Sequence, residues 1–168
     1  MRAPLAILAA PALLFAAASC GEGSDVTPLG PHTIVQVKLS EYTVAPDVDP
    51  IESGRTVFEL RNSGPTKQHE LYIIRTDLAA DALPTNEDGS AQLDDLDVIA
   101  HADPLRIGGP ARIDIEMEPA RYVLICNVVD RAEDGSRESH YELRMHSVLT
   151  VVPAPATGTP GALTPLAP

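Results

Sequence analysis

The sequence predicts an all-β fold, a Greek-key β-sandwich of six or seven short antiparallel strands. β-Branched and aromatic residues recur at every second position in several short segments, as they do in half-buried strands. Clusters of glycine, proline and asparagine close these segments in the manner of turns. No long amphipathic helical pattern stands between them, as a parallel α/β fold would require.

Six segments carry the strand pattern. The first alternates Val35, Val37 and Leu39 with polar residues, and the second ends at the turn Asn62–Pro65. The fifth follows the turn Pro119-Ala120 and is the most apolar of the six. The predicted strands are Val35–Leu39, Thr56–Arg61, His69–Arg75, Arg112–Met117, Arg121–Asn127 and Ser147–Val152.

A long acidic insertion, Thr76–Pro110, separates the third predicted strand from the fourth. Its apolar residues are only weakly periodic, and we expect short helical turns at Leu78–Leu83 and Gln92–Ala100. The acidic run Asp94–Asp97 lacks the glycine and the terminal glutamate of a calcium loop. We therefore expect this run to be a solvated surface.

The N-terminus has the pattern of an export signal. Residues 1–19 combine an early arginine with an apolar run that contains Pro11 and ends in small residues. The small residues before Cys20 and the glycine after it resemble a bacterial lipoprotein signal. That resemblance implies that Cys20 is lipidated and anchors the exported protein to a membrane, outside the cytoplasm. An ordinary signal peptide with an incidental cysteine is the alternative.

The rest of the chain divides into three parts by composition. Residues 20–31 are rich in glycine, serine and proline and are expected to be a tether. Residues 32–152 carry the strand pattern and are expected to fold as one domain. Residues 153–168 consist largely of proline, alanine and threonine without a charge, which predicts a disordered tail.

The net charge of the chain indicates which kinds of macromolecule it can bind. The 168 residues carry a formal net charge of −12, from 24 acidic and 12 basic side chains. The basic residues are too few and too scattered to neutralise phosphates, so we expect no nucleic-acid partner. A negative surface favours a partner with a basic docking face. We expect the protein itself to be a monomer.

A set of soft and borderline metal ligands accompanies the predicted strands. Cys126 lies near the end of the fifth strand, His140 follows after thirteen residues and Met145 after four more. Upstream, His69 opens the third strand. One thiolate, two imidazoles and one thioether are the donors of a trigonal copper site with a weak axial ligand. Metal ligation would also explain why an exported protein keeps one unpaired cysteine if Cys20 is lipidated.

The order of these residues resembles the cupredoxins, which are small blue copper proteins. The resemblance extends over nearly all of residues 32–152. It is carried by a turn before the first histidine and by a Cys…His…Met order before the last strand: Asn62-Ser63-Gly64, His69-Glu70-Leu71, Tyr122–Asn127, His140-Tyr141, Met145 and Leu149–Val151.

The resemblance implies a cupredoxin-like sandwich that binds one copper ion and alternates between Cu(I) and Cu(II). It implies His69, Cys126 and His140 as equatorial ligands and Met145 as the axial ligand. It also implies that the backbone N–H of Glu70 donates to the sulfur of Cys126 and tunes the site.

The sequence departs from the family pattern at the second half of the site. The insert Val128–Ser139 lengthens the loop between the cysteine and the second histidine. Its composition predicts a flexible segment that surrounds His140 with charge. Ser139 precedes His140, and Arg144 precedes Met145, where the family commonly has glycine.

Each candidate ligand also has an ordinary structural explanation. Cys126 would then be an inert core thiol and His69 a residue at the start of a strand. If Met145 only packs in the core, His146 or a backbone oxygen would serve as the axial ligand. We expect the two other histidines to be solvent-exposed and outside any metal site: His32 and His101.

Three functions are compatible with this pattern. The leading hypothesis is a non-enzymatic, membrane-tethered electron carrier between exported or membrane-bound redox proteins, such as a cytochrome or an oxidase. The second is copper storage or delivery, which would favour an exposed site rich in methionine and histidine. The third is covalent catalysis with Cys126 as nucleophile and His140 as base, for which no motif supplies an oxyanion pocket or an orienting acid.

Overall fold

The computed structural model describes residues 31–132 and 134–155, and their regular structure consists of eleven β-strands. No helix occurs within these two ranges, so the predicted all-β class is confirmed. The strands are β1 (Thr33–Ser40), β2 (Thr43–Pro46), β3 (Ile51–Glu52), β4 (Gly54–Asn62), β5 (His69–Arg75), β6 (Asp97–Leu105), β7 (Pro110–Met117), β8 (Ala120–Ile125), β9 (Val129–Arg131), β10 (Arg137–Ser139) and β11 (His146–Val152).

Four strands form the first sheet, in the order β2-β1-β4-β7. The alternation predicted for β1 is confirmed, because Val35, Val37 and Leu39 are buried and the residues between them are exposed. The β1–β2 and β4–β7 pairs are antiparallel. β1 runs parallel to β4, with Val35 opposite Phe58.

Five strands form the second sheet, in the order β3-β11-β8-β5-β6. The central strand β8 is antiparallel to both of its neighbours, β11 and β5. β3 runs parallel to β11 at one edge. The strands β9 and β10 form a separate antiparallel hairpin within the insert Val128–Ser139. This insert was expected to be flexible, and the structure shows instead that part of it is ordered by strand pairing.

The two sheets face each other across one hydrophobic core. Phe58 from the first sheet and Ile73 and Leu124 from the second are fully buried there. The β4–β5, β6–β7 and β7–β8 connections each pass from one sheet to the other, as in a Greek-key sandwich. The sheets are mixed, however, and the expectation of antiparallel strands is wrong for the β1–β4 and β3–β11 pairs. Such pairings join distant segments, so local patterns do not reveal their direction.

The acidic insertion Thr76–Pro110 also differs from its prediction. Two single turns are each closed by a backbone hydrogen bond of 3.0 Å. In the first, the N–H of Ala82 donates to the C=O of Ala79, and in the second, the N–H of Leu96 donates to the C=O of Leu93. From Asp97 onwards the predicted turn is wrong, because the chain enters β6. β6 is an edge strand with mostly exposed or half-buried residues, and its alternation is therefore weak. An edge strand also tolerates proline, which β6 contains.

The predicted signal peptide, Cys20, nearly all of the tether and most of the tail lie outside the described residues. Within the described ranges, no helix has both the length and the apolar character needed to cross a membrane.

Candidate metal centre

The strand arrangement brings the four candidate ligands to one end of the second sheet. His69 is the first residue of β5 and Cys126 directly follows the neighbouring strand β8. Because β5 and β8 are antiparallel, the start of one lies beside the end of the other. Met145 precedes β11, whose first residue pairs with the last residue of β8. His140 directly follows β10.

Three nitrogen and sulfur donors converge at this end. The sulfur of Cys126 lies 3.3 Å from Nδ1 of His140 and 3.9 Å from Nδ1 of His69. The two Nδ1 atoms are 3.2 Å apart. All three side chains are 0% exposed. The structure therefore builds a closed trigonal set of two imidazoles and one thiol, which is the donor set expected for type 1 copper.

Met145 is tied to this set through its backbone. Its N–H donates to the C=O of His140 at 2.9 Å, and its C=O accepts from the N–H of Cys126 at 3.0 Å. Its side chain is fully buried in the same core cluster as Cys126. Arg144, which stands where the family commonly has glycine, has a φ of 68° in the left-handed region. The preference for glycine at this position therefore has a backbone reason.

The environment of Cys126 favours the neutral thiol when no metal is bound. Burial raises its pKa to about 12, against the opposing effect of the backbone N–H groups of Glu70 and Val128. The N–H of Glu70 lies 3.5 Å from the sulfur, as the family resemblance implied. A thiolate here thus needs a bound cation, and a metal ion would displace the proton.

The turn before His69 is held by a buried asparagine. The side-chain amide of Asn62 donates to the C=O groups of Lys67 and Leu105, both at 2.9 Å. Its Oδ1 accepts from the N–H of Gly64 at 2.9 Å. The Asn-Ser-Gly turn that the sequence indicated therefore closes the β4–β5 connection and fixes where β5 begins.

The β9–β10 hairpin covers the outer edge of His140. Nε2 of His140 lies 3.1 Å from a carboxylate oxygen of Asp130, which belongs to β9. The ring of Tyr42 packs edge-on against His140, with centroids 5.1 Å apart. Lys67 pairs with Glu138 at 2.6 Å and with Asp130 at 3.4 Å. The expectation that charge would surround His140 is confirmed.

His69 has a carboxylate near its outer nitrogen as well. Nε2 of His69 lies 3.8 Å from Oε1 of Glu41 and has no hydrogen-bond partner among the described residues. Oε1 of Glu41 accepts from the N–H groups of Thr66 at 3.0 Å and Lys67 at 2.7 Å. Sequence reasoning missed Glu41, Lys67 and Tyr42, because nothing in their local sequence connects them with a ligand far along the chain.

Three histidines lie outside this cluster, and two of them, His32 and His101, are exposed, as expected. The ring of His101 stacks on Tyr72 with centroids 4.1 Å apart. Its Nε2 lies 3.5 Å from a carboxylate oxygen of Glu70.

Solved structures of blue copper proteins are similar in fold to this chain. Auracyanin from Roseiflexus castenholzii is 21% identical, over 72% of this chain and 98% of its own, with a TM-score of 0.51. Auracyanin A, a "blue" copper protein from Chloroflexus aurantiacus, is 17% identical over 72% and 99%, with a TM-score of 0.50. Rusticyanin from Thiobacillus ferrooxidans is 12% identical over 73% and 79%, with a TM-score of 0.50. No protein-family model and no curated protein sequence matches the chain.

These neighbours are all cupredoxins, so the chain has a cupredoxin fold. The cluster of His69, Cys126 and His140, with Met145 beside it, fits one type 1 copper ion.

Proposed function

We propose that this protein is a type 1 copper electron carrier. The observation that carries the proposal is the buried cluster of His69, Cys126 and His140, whose ligand atoms all lie within 4.8 Å of one another. Copper held there supplies reversible one-electron chemistry between Cu(I) and Cu(II). Nδ1 of His69, Nδ1 of His140 and the sulfur of Cys126 would hold the ion, and the thioether of Met145 would add a weaker donor.

The fold suits this role because it holds the donors still. His69 belongs to a paired strand, and Cys126 and Met145 are joined by a backbone hydrogen bond of 3.0 Å. Soft sulfur donors suit Cu(I) and imidazoles suit Cu(II), so one rigid set serves both states. The chain's own contribution is thus to orient the donors, exclude water and minimise movement when the electron passes.

The same site argues against the two alternative functions. Copper delivery favours exposed, labile ligands, whereas these three donors are completely buried. Covalent catalysis needs an activated thiolate, yet burial raises the pKa of Cys126 to about 12. Buried donors also leave little access for a substrate, so we infer that the protein is not an enzyme.

We further propose where and with whom the protein works. The predicted export signal and Cys20 support a lipid-anchored protein at an extracytoplasmic membrane surface, and we propose that it is a monomer. The net charge of −12 supports a redox partner with a basic docking face, such as a cytochrome or an oxidase domain. A Cys20→Ala variant expressed in bacteria should move from the membrane fraction to the soluble extracytoplasmic fraction. Unchanged membrane fractionation of Cys20→Ala would rule out the lipid anchor.

The copper assignment is tested by reconstitution. The metal-free full chain is mixed with one equivalent of Cu(II) and its visible spectrum is recorded. We expect an intense blue or green band from thiolate-to-copper charge transfer, and a reversible one-electron wave in voltammetry. Cys126→Ser should lose the band, because a hydroxyl offers no soft thiolate. His101→Ala, a histidine outside the cluster, should keep it.

The outcomes separate the candidate functions. A coloured protein that exchanges electrons quickly and releases copper slowly supports the electron carrier. Rapid copper transfer to a chelator without a reversible wave would favour delivery. A colourless product, or a band that persists in Cys126→Ser, would overturn the assignment.

A further inference from the structure

Both histidines of the cluster turn one nitrogen inward and the other toward a carboxylate. Nδ1 of each ring faces Cys126, as described above. Nε2 of His140 lies 3.1 Å from Asp130, and Nε2 of His69 lies 3.8 Å from Glu41. An imidazole that ligates through one nitrogen carries its proton on the other, and an acceptor there fixes the tautomer.

We propose that Asp130 and Glu41 are positioning residues that hold His140 and His69 with Nε2–H outward and favour Cu(II) over Cu(I). This inference rests on the proposed function, and it assigns to these two carboxylates an influence on the reduction potential of the copper site. A carboxylate at Nε2–H increases the basicity of the ligand nitrogen. Its negative charge also stabilises the more highly charged state of the ion, and the imidazole rings that lie between the carboxylates and the donor atoms are fully buried.

Asp130 acts through a direct hydrogen bond, and the hairpin holds it in place. The carboxylate of Asp130 accepts from Nε2–H of His140 and also faces Nζ of Lys67 at 3.4 Å. Asp130 pairs with Glu138 across the hairpin, and Glu138 binds the same Lys67 at 2.6 Å. The hydroxyl of Tyr42 donates to the same oxygen of Glu138, Oε1, that contacts Lys67. The insert therefore serves as a clamp on the second histidine.

Glu41 acts mainly through its charge. A separation of 3.8 Å from Nε2 of His69 is longer than a hydrogen bond. The carboxylate is fixed in that position by the backbone N–H groups of Thr66 and Lys67. Lys67 thus contacts both carboxylates. Its backbone N–H donates to Glu41, and its side-chain ammonium donates to Asp130. The weaker geometry predicts that Glu41 has the smaller effect.

The charge is removed with little change of shape by Asp130→Asn and Glu41→Gln. The control is Asp134→Asn, which removes an exposed carboxylate from the same insert; within the described residues, the side chain of Asp134 accepts hydrogen bonds from Ser136. Each copper-loaded protein is compared by visible spectroscopy and by its reduction potential. We expect all three variants to remain coloured. Asp130→Asn should raise the affinity for Cu(I) relative to Cu(II) about tenfold, a potential increase of about 59 mV.

Glu41→Gln should move the potential in the same direction by less, and Asp134→Asn should change the affinity ratio less than twofold. If Asp130→Asn and Asp134→Asn shift the potential equally, the carboxylate acts only as a surface charge and the proposal is wrong. Failure of this proposal can be told apart from failure of the proposed function. If the proposed function is wrong, the unaltered protein itself shows no colour with copper.

A second measurement needs no copper. Nitrogen-correlated NMR of the metal-free protein reports which ring nitrogen of His140 carries the proton. We expect Nε2–H, and we expect its exchange with solvent to become at least tenfold faster in Asp130→Ala but not in Asp134→Ala. Protonation of Nδ1 in the unaltered protein, or equal exchange in both variants, would overturn the proposal even if copper binds as expected.

Discussion

The side chain of Asn127 makes two hydrogen bonds with the backbone of Ala91. The N–H of Ala91 donates to Oδ1 of Asn127 at 2.6 Å, and the side-chain amide of Asn127 donates to the C=O of Ala91 at 3.0 Å. Asn127 directly follows Cys126, whereas Ala91 belongs to the acidic insertion. Nearby, the hydroxyl of Ser139 donates to the C=O of Gly89 at 2.7 Å. The middle of the acidic insertion is thereby hydrogen-bonded to the residue that follows Cys126 and to the residue that precedes His140.

Asn127→Ala should destabilise the metal-free protein by about 1–3 kcal/mol, because it leaves the N–H and C=O of Ala91 without partners. Chemical denaturation monitored by circular dichroism measures the free energy of unfolding. The control is Glu87→Ala, at an exposed position in the same insertion, which should change this free energy by less than about 0.5 kcal/mol. Equal effects of the two substitutions would show that the hydrogen bonds between Asn127 and Ala91 make no particular contribution to the free energy of unfolding.

Arg144→Gly should stabilise the protein. The φ of 68° at Arg144 costs a side-chain-bearing residue about 1–2 kcal/mol, while glycine loses about 0.5–1 kcal/mol more backbone entropy on folding. The net gain in the free energy of unfolding is therefore at most about 1.5 kcal/mol, with a central value of about 0.7 kcal/mol. Arg131→Gly, in the regular strand β9, lacks this relief and should destabilise the protein. A loss of stability in Arg144→Gly would mean that the arginine side chain makes a compensating contact.

Met145→Leu should keep the copper and its colour but raise the reduction potential, because a weak donor to Cu(II) is lost. Leucine fills nearly the same volume, so the free energy of unfolding should fall by less than about 1.5 kcal/mol. Met117→Leu is the matched control, since Met117 is also buried but lies in β7 of the first sheet. If neither substitution moves the potential, Met145 is not the axial ligand, and His146 or a backbone oxygen becomes the candidate.

Copper binding should release one proton from the protein between pH 7 and pH 9. Burial raises the pKa of Cys126 to about 12, so the thiol is protonated throughout this range. Burial also lowers the pKa values of His69 and His140, so both rings are already neutral. A metal that competes with a single proton gains affinity as the pH rises, about tenfold per pH unit.

This pH dependence is measured by competition with a chelator of known affinity at several pH values. A slope of one in the logarithm of the apparent Cu(II) affinity is expected. In Cys126→Ser the slope should approach zero. A zero slope in the unaltered protein would mean that the thiolate is already present without the metal.

The sequence by itself determined the strand class and the donor chemistry. Period-two patterns located β1, β4, β5, β7, β8 and β11, since those strands bury one or both faces and therefore alternate or become wholly apolar. The types and order of His69, Cys126, His140 and Met145 were sufficient to indicate copper, because ligand preference is a property of the side chains themselves.

Tertiary structure alone decided the pairing and the surroundings of the donors. The edge strand β6 and the parallel β1–β4 pair depend on contacts between distant segments, which a local pattern does not contain. The same holds for Glu41 and Asp130, two ordinary surface carboxylates in sequence. They come to lie at the outer nitrogens of His69 and His140 because a turn and a hairpin place them there. Donor identity is a local chemical property, whereas the field around the donors is made by the whole fold.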